Sequence, residues 1–312
     1  MSKGDSANPD LDCFGVLNRR WTIEFDGGSI SPVSEFDEVT AWVDSYTNQD
    51  GFLYPPMSRQ VVSDPRTNEV VEEVPKTIRP ALLHQLPASH TLRLSDSGTR
   101  EQRRQGIGAF VIHLLGYLFG TRLQFWDWWF DSRVPIQSTH NISFREATAQ
   151  DFLSHCCRTW RSWTDEERRL ITNALYMHCR APSYEWDWER FTIEYMVLDG
   201  CWKLAKLRYG VKDEGHARRI DSLCRKFGIP SDGNLVEAIV RLRNGLFHEA
   251  LWDGSQPCMG TSGTTFLQSY NLRRLNQRLI PALLEYATPY VGTCWWSIGT
   301  FAFNSPSRHV NP

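Results

Sequence analysis

The sequence predicts an α+β module at the N-terminus followed by an all-α helical bundle. Up to about residue 95, short stretches such as residues 21–25 alternate apolar and polar side chains, and turn signals such as Asp26-Gly27-Gly28 separate them. From residue 144 onward, apolar residues instead recur every three or four positions, which is typical of amphipathic helices. This change predicts two parts, residues 1–140 and residues 141–312, and we expect roughly the first dozen residues to be disordered.

The first part combines candidate strands with one clear candidate helix. Residues 100–118 predict a helix that Gly120 ends, and residues 36–43 fit either a strand or a short helix. The predicted strands are, in chain order, residues 14–17, residues 21–25, the hairpin pair 60–62 and 70–74, and residues 91–94.

An aromatic run at residues 125–130 has two interpretations. Exposed aromatic rings beside basic groups stack on single-stranded bases, and Arg122 and Arg133 flank the run. Aromatic residues in a strand-like run are more commonly part of a sheet core. Both interpretations stay open from the sequence alone.

The second part reads as a succession of helices. Thr164 and Glu167 have the spacing of a capping box, which predicts a helix start. A Gly/Ser/Pro loop is predicted at residues 255–263, and we expect the tail after Tyr290, with Trp295 and Trp296, to dock back on the bundle. The predicted helices are residues 144–163, 164–179, 186–209, 216–227, one that begins at 234, and 270–285.

Composition describes an ordinary globular protein of 312 residues, with 41% hydrophobic and 22% charged residues. The net charge of −2 gives no global attraction to nucleic acid, so RNA contact requires a local basic patch. The polar N-terminus does not resemble a signal peptide, and the longest apolar run, residues 107–120, is shorter than the roughly 20 residues of a membrane span. We therefore expect a soluble, cytoplasmic protein without membrane contact.

The eight cysteines do not follow a metal-binding or disulfide pattern. Residues 155–157 (His-Cys-Cys) and 178–179 (His-Cys) together suggest a zinc site, but the ligand spacing of such sites is missing. Buried small residues are the simpler interpretation. We predict no metal, no cofactor and no disulfide.

The most informative stretch is Arg243-Asn244-Gly245-Leu-Phe-His248. It lies in a predicted helix whose start is suggested by Asn234 and Glu237, which have capping-box spacing. At about 100° per residue, Arg243 and His248 point about 140° apart on an ideal α-helix. They can share one site only if Gly245 loosens the helix or if a second surface closes over them.

The pattern Arg-Asn-x-x-x-His resembles the motif of the HEPN superfamily, which Arg243, Asn244 and His248 match position by position. These are small all-helical domains, many of them metal-independent ribonucleases that pair as homodimers with the motif helices facing. The resemblance implies an endoribonuclease acting on RNA, such as tRNA, in which the 2′-hydroxyl attacks the neighbouring phosphate and leaves a 2′,3′-cyclic end. It also implies a toxin or an antiviral, abortive-infection effector similar to the ApeA group, with a phage or antitoxin as trigger or regulator.

The resemblance gives each motif residue a role. His248 moves protons, because the ordinary pKa of histidine is about 6.5, and its role as base or acid stays open. Arg243 holds the phosphate through its planar fork of donors, and Asn244 orients His248 or the phosphate without adding charge. Three carboxylates are candidate supporting groups or plain ion-pair partners: Glu194, Asp199 and Glu249. Four basic residues form either a solvated face or a track for the RNA backbone: Arg218, Arg219, Arg225 and Lys226. The alternative function is a non-catalytic HEPN-type module that binds a nucleotide, RNA or a partner protein.

Overall fold

The computed structural model describes residues 11–54, 61–64, 66–67, 69–73, 83–137, 140–212, 215–252 and 264–306. Most strands lie in the first part and most helices in the second, as the change of periodicity predicts. The strands are β1 (Leu11–Gly15), β2 (Ile23–Phe25), β3 (Gly28–Pro32), β4 (Phe52–Leu53), β5 (Val61–Ser63), β6 (Val70–Glu73), β7 (His90–Leu94), β8 (Gln124–Phe125), β9 (Val134–Pro135), β10 (Ile142–Ser143) and β11 (Phe301–Ala302). The helices are α1 (Phe36–Tyr46), α2 (Arg100–Arg103), α3 (Ala109–Phe119), α4 (Glu146–Arg161), α5 (Asp165–Arg180), α6 (Asp187–Tyr209), α7 (His216–Phe227), α8 (Gly233–Asn244) and α9 (Thr264–Leu283).

The main sheet is antiparallel, with the strand order β2-β3-β7-β1-β8. Ile23 pairs with Ile30, and Ile30 pairs with Leu92, so one buried row crosses three strands. Alternation of apolar and polar residues produces this row, because successive side chains of a strand point to opposite faces. The predicted hairpin is confirmed as β5 and β6.

The centre of the molecule is α3. All residues from Ala109 to Leu118 are buried, and the helix packs against β8, α4 and α5. A helix that is covered on all sides is apolar all round, which explains the apolar run at this place. Gly120 ends the helix in the left-handed region at φ 63°, as predicted. One hydrophobic core runs from Phe14 to Phe303, so the two predicted parts share it.

The helical part is built around α6, which packs along α5 and α9. The shorter helices α7 and α8 contact each other, and both also contact α9. The tail docks on this bundle as predicted. Trp295 is fully buried and donates its indole N–H to the carbonyl of Pro230 at 2.8 Å, while Phe301 of β11 pairs with Ile142 of β10.

Several sequence-based boundaries differ from the structure. Of the two alternatives for residues 36–43, the helix is confirmed as α1, which continues to Tyr46. The expected disorder of the first dozen residues falls on positions outside the described ranges except at its end, where Leu11 and Asp12 already belong to β1. The last helix begins at Thr264, earlier than predicted. The loop predicted at residues 255–263 lies outside the described residues.

The aromatic run divides into buried and exposed rings. Phe125 and Phe130 are buried, whereas Trp126 and Trp129 are 44% and 55% exposed. The arginines on its flanks point inward: Arg122 is buried and pairs with Asp131 at 2.7 Å, and Arg133 is buried and pairs with Glu185 at 2.7 Å. These guanidinium groups are therefore occupied within the fold, which favours the interpretation of the run as part of the core.

None of the described helices combines the length and the apolar character that crossing a lipid bilayer requires.

Candidate functional site

The helix that carries the motif starts at a different residue from the one the spacing suggests. Asp232 is its N-cap, and its carboxylate accepts hydrogen bonds from the backbone N–H groups of Asn234 and Leu235 at 3.0 and 3.2 Å. The predicted capping box of Asn234 and Glu237 is therefore wrong. Aspartate two residues upstream satisfies the free amides of the first turn, and its negative charge suits the positive end of the helix dipole.

The helix widens at the motif. α8 ends at Asn244, and Gly245–Glu249 continue it as a π-helical turn that stops at Ala250 in the left-handed region. Gly245 allows this path, because a Cβ at that position would lie 3.0 Å from the carbonyl oxygen of Leu251. The amide of Leu251 also donates to the carbonyl of Gly245 at 3.0 Å. The sequence left two ways for the motif to assemble, and the structure shows the loosened helix.

The π turn brings the motif side chains together within one chain. In a π helix the backbone bonds join residues five apart, and Arg243 and His248 have this spacing. The guanidinium Nη1 of Arg243 donates to Nε2 of His248 at 2.8 Å and to the amide oxygen of Asn244 at 3.0 Å. A guanidinium only donates, so Nε2 of His248 is unprotonated in this contact.

The charge of Arg243 has aromatic and neutral neighbours. Its guanidinium lies 5.2 Å from the ring centre of Phe247 and 5.9 Å from that of Tyr195, within the range of cation–π contacts. Nε of Arg243 is buried and has no hydrogen-bond partner, and no carboxylate of the described residues forms an ion pair with this side chain. His248, Asn244 and Phe247 are exposed beside it. The arrangement is a partly uncompensated cation that is hydrogen-bonded to an exposed imidazole.

The three candidate supporting carboxylates lie in different environments. Glu194 is fully buried, and its carboxylate bonds with His178, Arg273 and Asn276 and with no motif residue. Burial opposes its ionisation, but His178 and Arg273 hold the pKa of this carboxyl below its ordinary value. The structure thus places Glu194 in the core of the bundle.

The other two carboxylates lie nearer the motif. Asp199 pairs with Arg219 at 3.5 Å. Glu249 is exposed at the end of the π turn. Together with Asn244, Glu249 lines a shallow groove of about 450 Å³ between α7 and α8.

The basic cluster lies on α7, the neighbour of the motif helix. Arg218, Arg225 and Lys226 are exposed, and the Lys226 ammonium lies 4.7 Å from the ring centre of Tyr209. Arg219 is half-buried, with its guanidinium over the Trp202 ring at 5.7 Å. Three of the four basic residues are thus open to an anionic partner, and Arg219 belongs to the packing around the motif.

Two residues of the site were missed from the sequence, Tyr195 and His216. Tyr195 is buried on α6 and contacts both His216 and the motif. Its hydroxyl lies 2.8 Å from Nδ1 of His216, and its ring centre lies 6.2 Å from that of Phe247. Burial lowers the pKa of His216, and the positive charges of Arg243 and Arg219 lower it further. Tyr195 belongs to an apolar stripe and His216 begins a helix, so neither carries a signal of its role in its local sequence.

Among the described residues, no three His, Cys, Asp or Glu side chains are grouped closely enough to hold a metal ion. Comparisons of the chain with protein-family models, with curated proteins and with solved structures found no match.

Proposed function

We propose that this protein is a metal-independent endoribonuclease and that Arg243, Asn244 and His248 form its active site. The observation that supports this most is the 2.8 Å contact between Arg243 and His248 in the π turn. A phosphate-binding cation and a proton-transferring imidazole are two of the groups that cleavage of RNA by its own 2′-hydroxyl uses. Among the described residues, Arg243 donates to neutral acceptors and forms no ion pair with a carboxylate, so its charge is available to a phosphate.

The resting contact suggests how the site responds to substrate. A phosphate is a stronger acceptor for a guanidinium than a neutral imidazole, because both partners are charged. When RNA binds, Arg243 donates to the phosphate and releases Nε2 of His248 for proton transfer. Asn244 holds the guanidinium through its amide oxygen while the partner changes. The 2′-hydroxyl is the nucleophile, so DNA is inert.

Homodimer formation is a separate proposal. Arg243 and His248 meet within one chain, so a second protomer is not needed to bring these two groups together. The Phe247 side chain is 46% exposed. A partner with its motif helix facing this one would cover Phe247 and help to exclude water from the site.

The test is a cleavage assay on bulk tRNA and on a short single-stranded RNA with chelator present. We expect wild type to cut and leave cyclic phosphate ends, and we expect Arg243→Ala and His248→Ala to lose at least about 100-fold in rate. Arg169→Ala is a matched control, because Arg169 is an exposed arginine of α5, a different helix from the one that carries the motif. If both motif variants cut like wild type, the ribonuclease site lies elsewhere. Binding of RNA without cleavage by folded wild type would instead favour the non-catalytic binding module.

The biological role proposed is that of a toxin or phage-defence effector, and it rests on the motif resemblance. Expression of wild type in a bacterial host should arrest growth and degrade RNA, whereas His248→Ala at equal protein level should not. Equal growth of both strains, with and without phage challenge, would contradict this role.

A further inference from the structure

A second histidine lies beside the motif and is held by a residue that also contacts the motif. His216 is the first residue of α7, and Nδ1 of its ring lies 2.8 Å from the Tyr195 hydroxyl. The Tyr195 ring centre lies 5.7 Å from the His216 ring centre and 5.9 Å from the Arg243 guanidinium. Tyr195 therefore contacts both His216 and Arg243, and His216 is half-buried.

Cleavage of RNA through a cyclic phosphate requires two proton transfers. One proton leaves the 2′-hydroxyl as it attacks phosphorus, and another reaches the 5′-oxygen as its bond to phosphorus breaks. The motif supplies one imidazole, His248. A second group with an accessible lone pair is needed for the other proton transfer.

We infer that His216 is the general base of this site: its Nε2 accepts the 2′-hydroxyl proton, Tyr195 positions it through Nδ1, and His248 is the acid. This inference rests on the proposed ribonuclease function. Before the step, Arg243 moves to the phosphate and the released Nε2 of His248 takes up a proton from water. In the step, the 2′-oxygen forms a bond to phosphorus, the bond from phosphorus to the 5′-oxygen breaks, and the 5′-oxygen takes a proton from the His248 imidazolium. His216 ends protonated and His248 neutral, and exchange with water restores both.

The hydrogen bond to Tyr195 decides which nitrogen of His216 is available. In the tautomer in which Nδ1–H donates to the Tyr195 oxygen, the lone pair is on Nε2. Burial raises the pKa of the Tyr195 phenol, with Asp199 adding to the effect, so the hydroxyl stays neutral. Tyr195 is thus a positioning residue, comparable to the group that orients the histidine of a hydrolase triad.

The charges around His216 favour its neutral form. Burial and the cations Arg243 and Arg219 lower its pKa, so the ring is free to accept a proton at neutral pH. The described titratable and charged groups that act on His216 come from three places: Tyr195 and Asp199 of α6, Arg219 of α7, and Arg243 and His248 at the end of the motif helix. The carboxylate of Asp199 raises the pKa of His216, against the effect of the cations, but this carboxylate is itself paired with Arg219.

The test uses a short RNA that wild type cuts at one mapped linkage, and the same RNA with a sulfur atom replacing the 5′-oxygen of that linkage. A thiolate leaves without help from an acid, because thiols are far more acidic than alcohols. We expect the cleavage rate of His216→Ala to be at least about 100-fold below that of wild type on both substrates, and the rate of His248→Ala to recover on the sulfur substrate.

The pH dependence of the cleavage rate is a second measurement. The rate of wild type should fall at low pH as His216 becomes protonated, and His216→Ala should not show this fall.

Two further variants keep the outcome interpretable. His216→Gln retains a polar side chain of similar reach and replaces His216→Ala if melting curves show that the alanine variant does not fold. Tyr195→Phe keeps the ring packing and removes the hydroxyl. We expect its cleavage rate to be about 10-fold lower and the low-pH fall of that rate to occur at a different pH. Unchanged cleavage by both His216 variants, or their rescue by sulfur, would overturn the inference. If wild type fails to cut, or if Arg243→Ala and His248→Ala cut normally, the proposed function itself fails.

Discussion

At the residue scale, the site depends on one guanidinium that donates to two neutral acceptors. Arg243 bonds with His248 and Asn244 and stacks on Phe247. A planar fork makes this multiple contact possible, whereas the ammonium of a lysine is a compact point charge with different geometry. The identity of this cation therefore matters as much as its charge.

Arg243→Lys tests this distinction. We expect the cleavage rate to drop by about 10- to 100-fold with little change in melting temperature, since the side chain is half-buried and keeps its charge. Single-turnover cleavage rates of this variant are compared with those of wild type and of the control variant Arg169→Lys, which changes an exposed arginine of α5. A lysine variant as active as wild type would mean that charge alone supports the reaction.

At the element scale, the motif helix shows what the sequence could and could not predict. Its existence and its apolar face followed from periodicity, and the 140° separation of Arg243 and His248 on an ideal helix required either a loosened turn or a second surface. The N-cap was missed because Asn234 and Glu237 imitate a capping box, whereas Asp232 makes the bonds. Capping depends on backbone conformation at the helix start, which residue spacing does not specify.

Asp232→Ala and Asn234→Ala separate the two caps. We expect Asp232→Ala to lose about 1 kcal/mol of unfolding free energy, because two amides of the first turn lose their acceptor. Asn234→Ala should stay within about 0.5 kcal/mol of wild type. Urea denaturation of both variants makes the comparison, and the reverse order of stabilities would show that Asn234 is the cap.

Other elements were predictable where local chemistry decides them. Thr164 and Glu167 form the capping box that the sequence predicts at the start of α5, and Gly120 ends α3. The contact between Tyr195 and His216 joins two helices, and no local pattern contains it. The motif residues of the candidate site could therefore be predicted from the sequence, whereas Tyr195 and His216 could be found only from the packing of the helices.

At the scale of the whole molecule, one core joins the sheet and the bundle, and the motif lies at the edge of that core. Arg243 and His248 come from the same chain, so each protomer of a dimer would carry its own pair. A site shared between protomers would instead combine Arg243 of one with His248 of the other.

Mixed dimers distinguish these arrangements. A heterodimer of one Arg243→Ala protomer and one His248→Ala protomer, isolated through two different tags, should be as inactive as either parent. Recovery of about half of the wild-type activity would show that the pair is assembled across the interface. Failure to isolate any mixed dimer, with a solution mass of one chain, would contradict the homodimer proposal.

The buried histidines of the first part make stability depend on pH. Burial lowers the pKa of His84 and His90 to about 4 and that of His113 to about 3, and Arg122 adds to the effect at His84 and His113. The unfolded chain binds these protons near the ordinary value of 6.5, so folding loses stability as the pH falls from there toward 4.

Urea denaturation between pH 7.5 and pH 5 measures this loss. We expect unfolding free energy to fall below pH 6.5 by on the order of 1 kcal/mol per pH unit for each buried histidine. Constant stability across this range would mean that these rings are not buried in their neutral form.

The most direct measurement of the central claim compares two strands of one sequence in the presence of chelator: RNA, and its 2′-O-methyl form. Wild type should cut the RNA, leave 2′,3′-cyclic phosphate ends and spare the methylated strand, because the nucleophile is blocked. His248→Ala should cut neither. Cleavage of the methylated strand, or activity that disappears with chelator, would contradict a metal-independent reaction at Arg243 and His248.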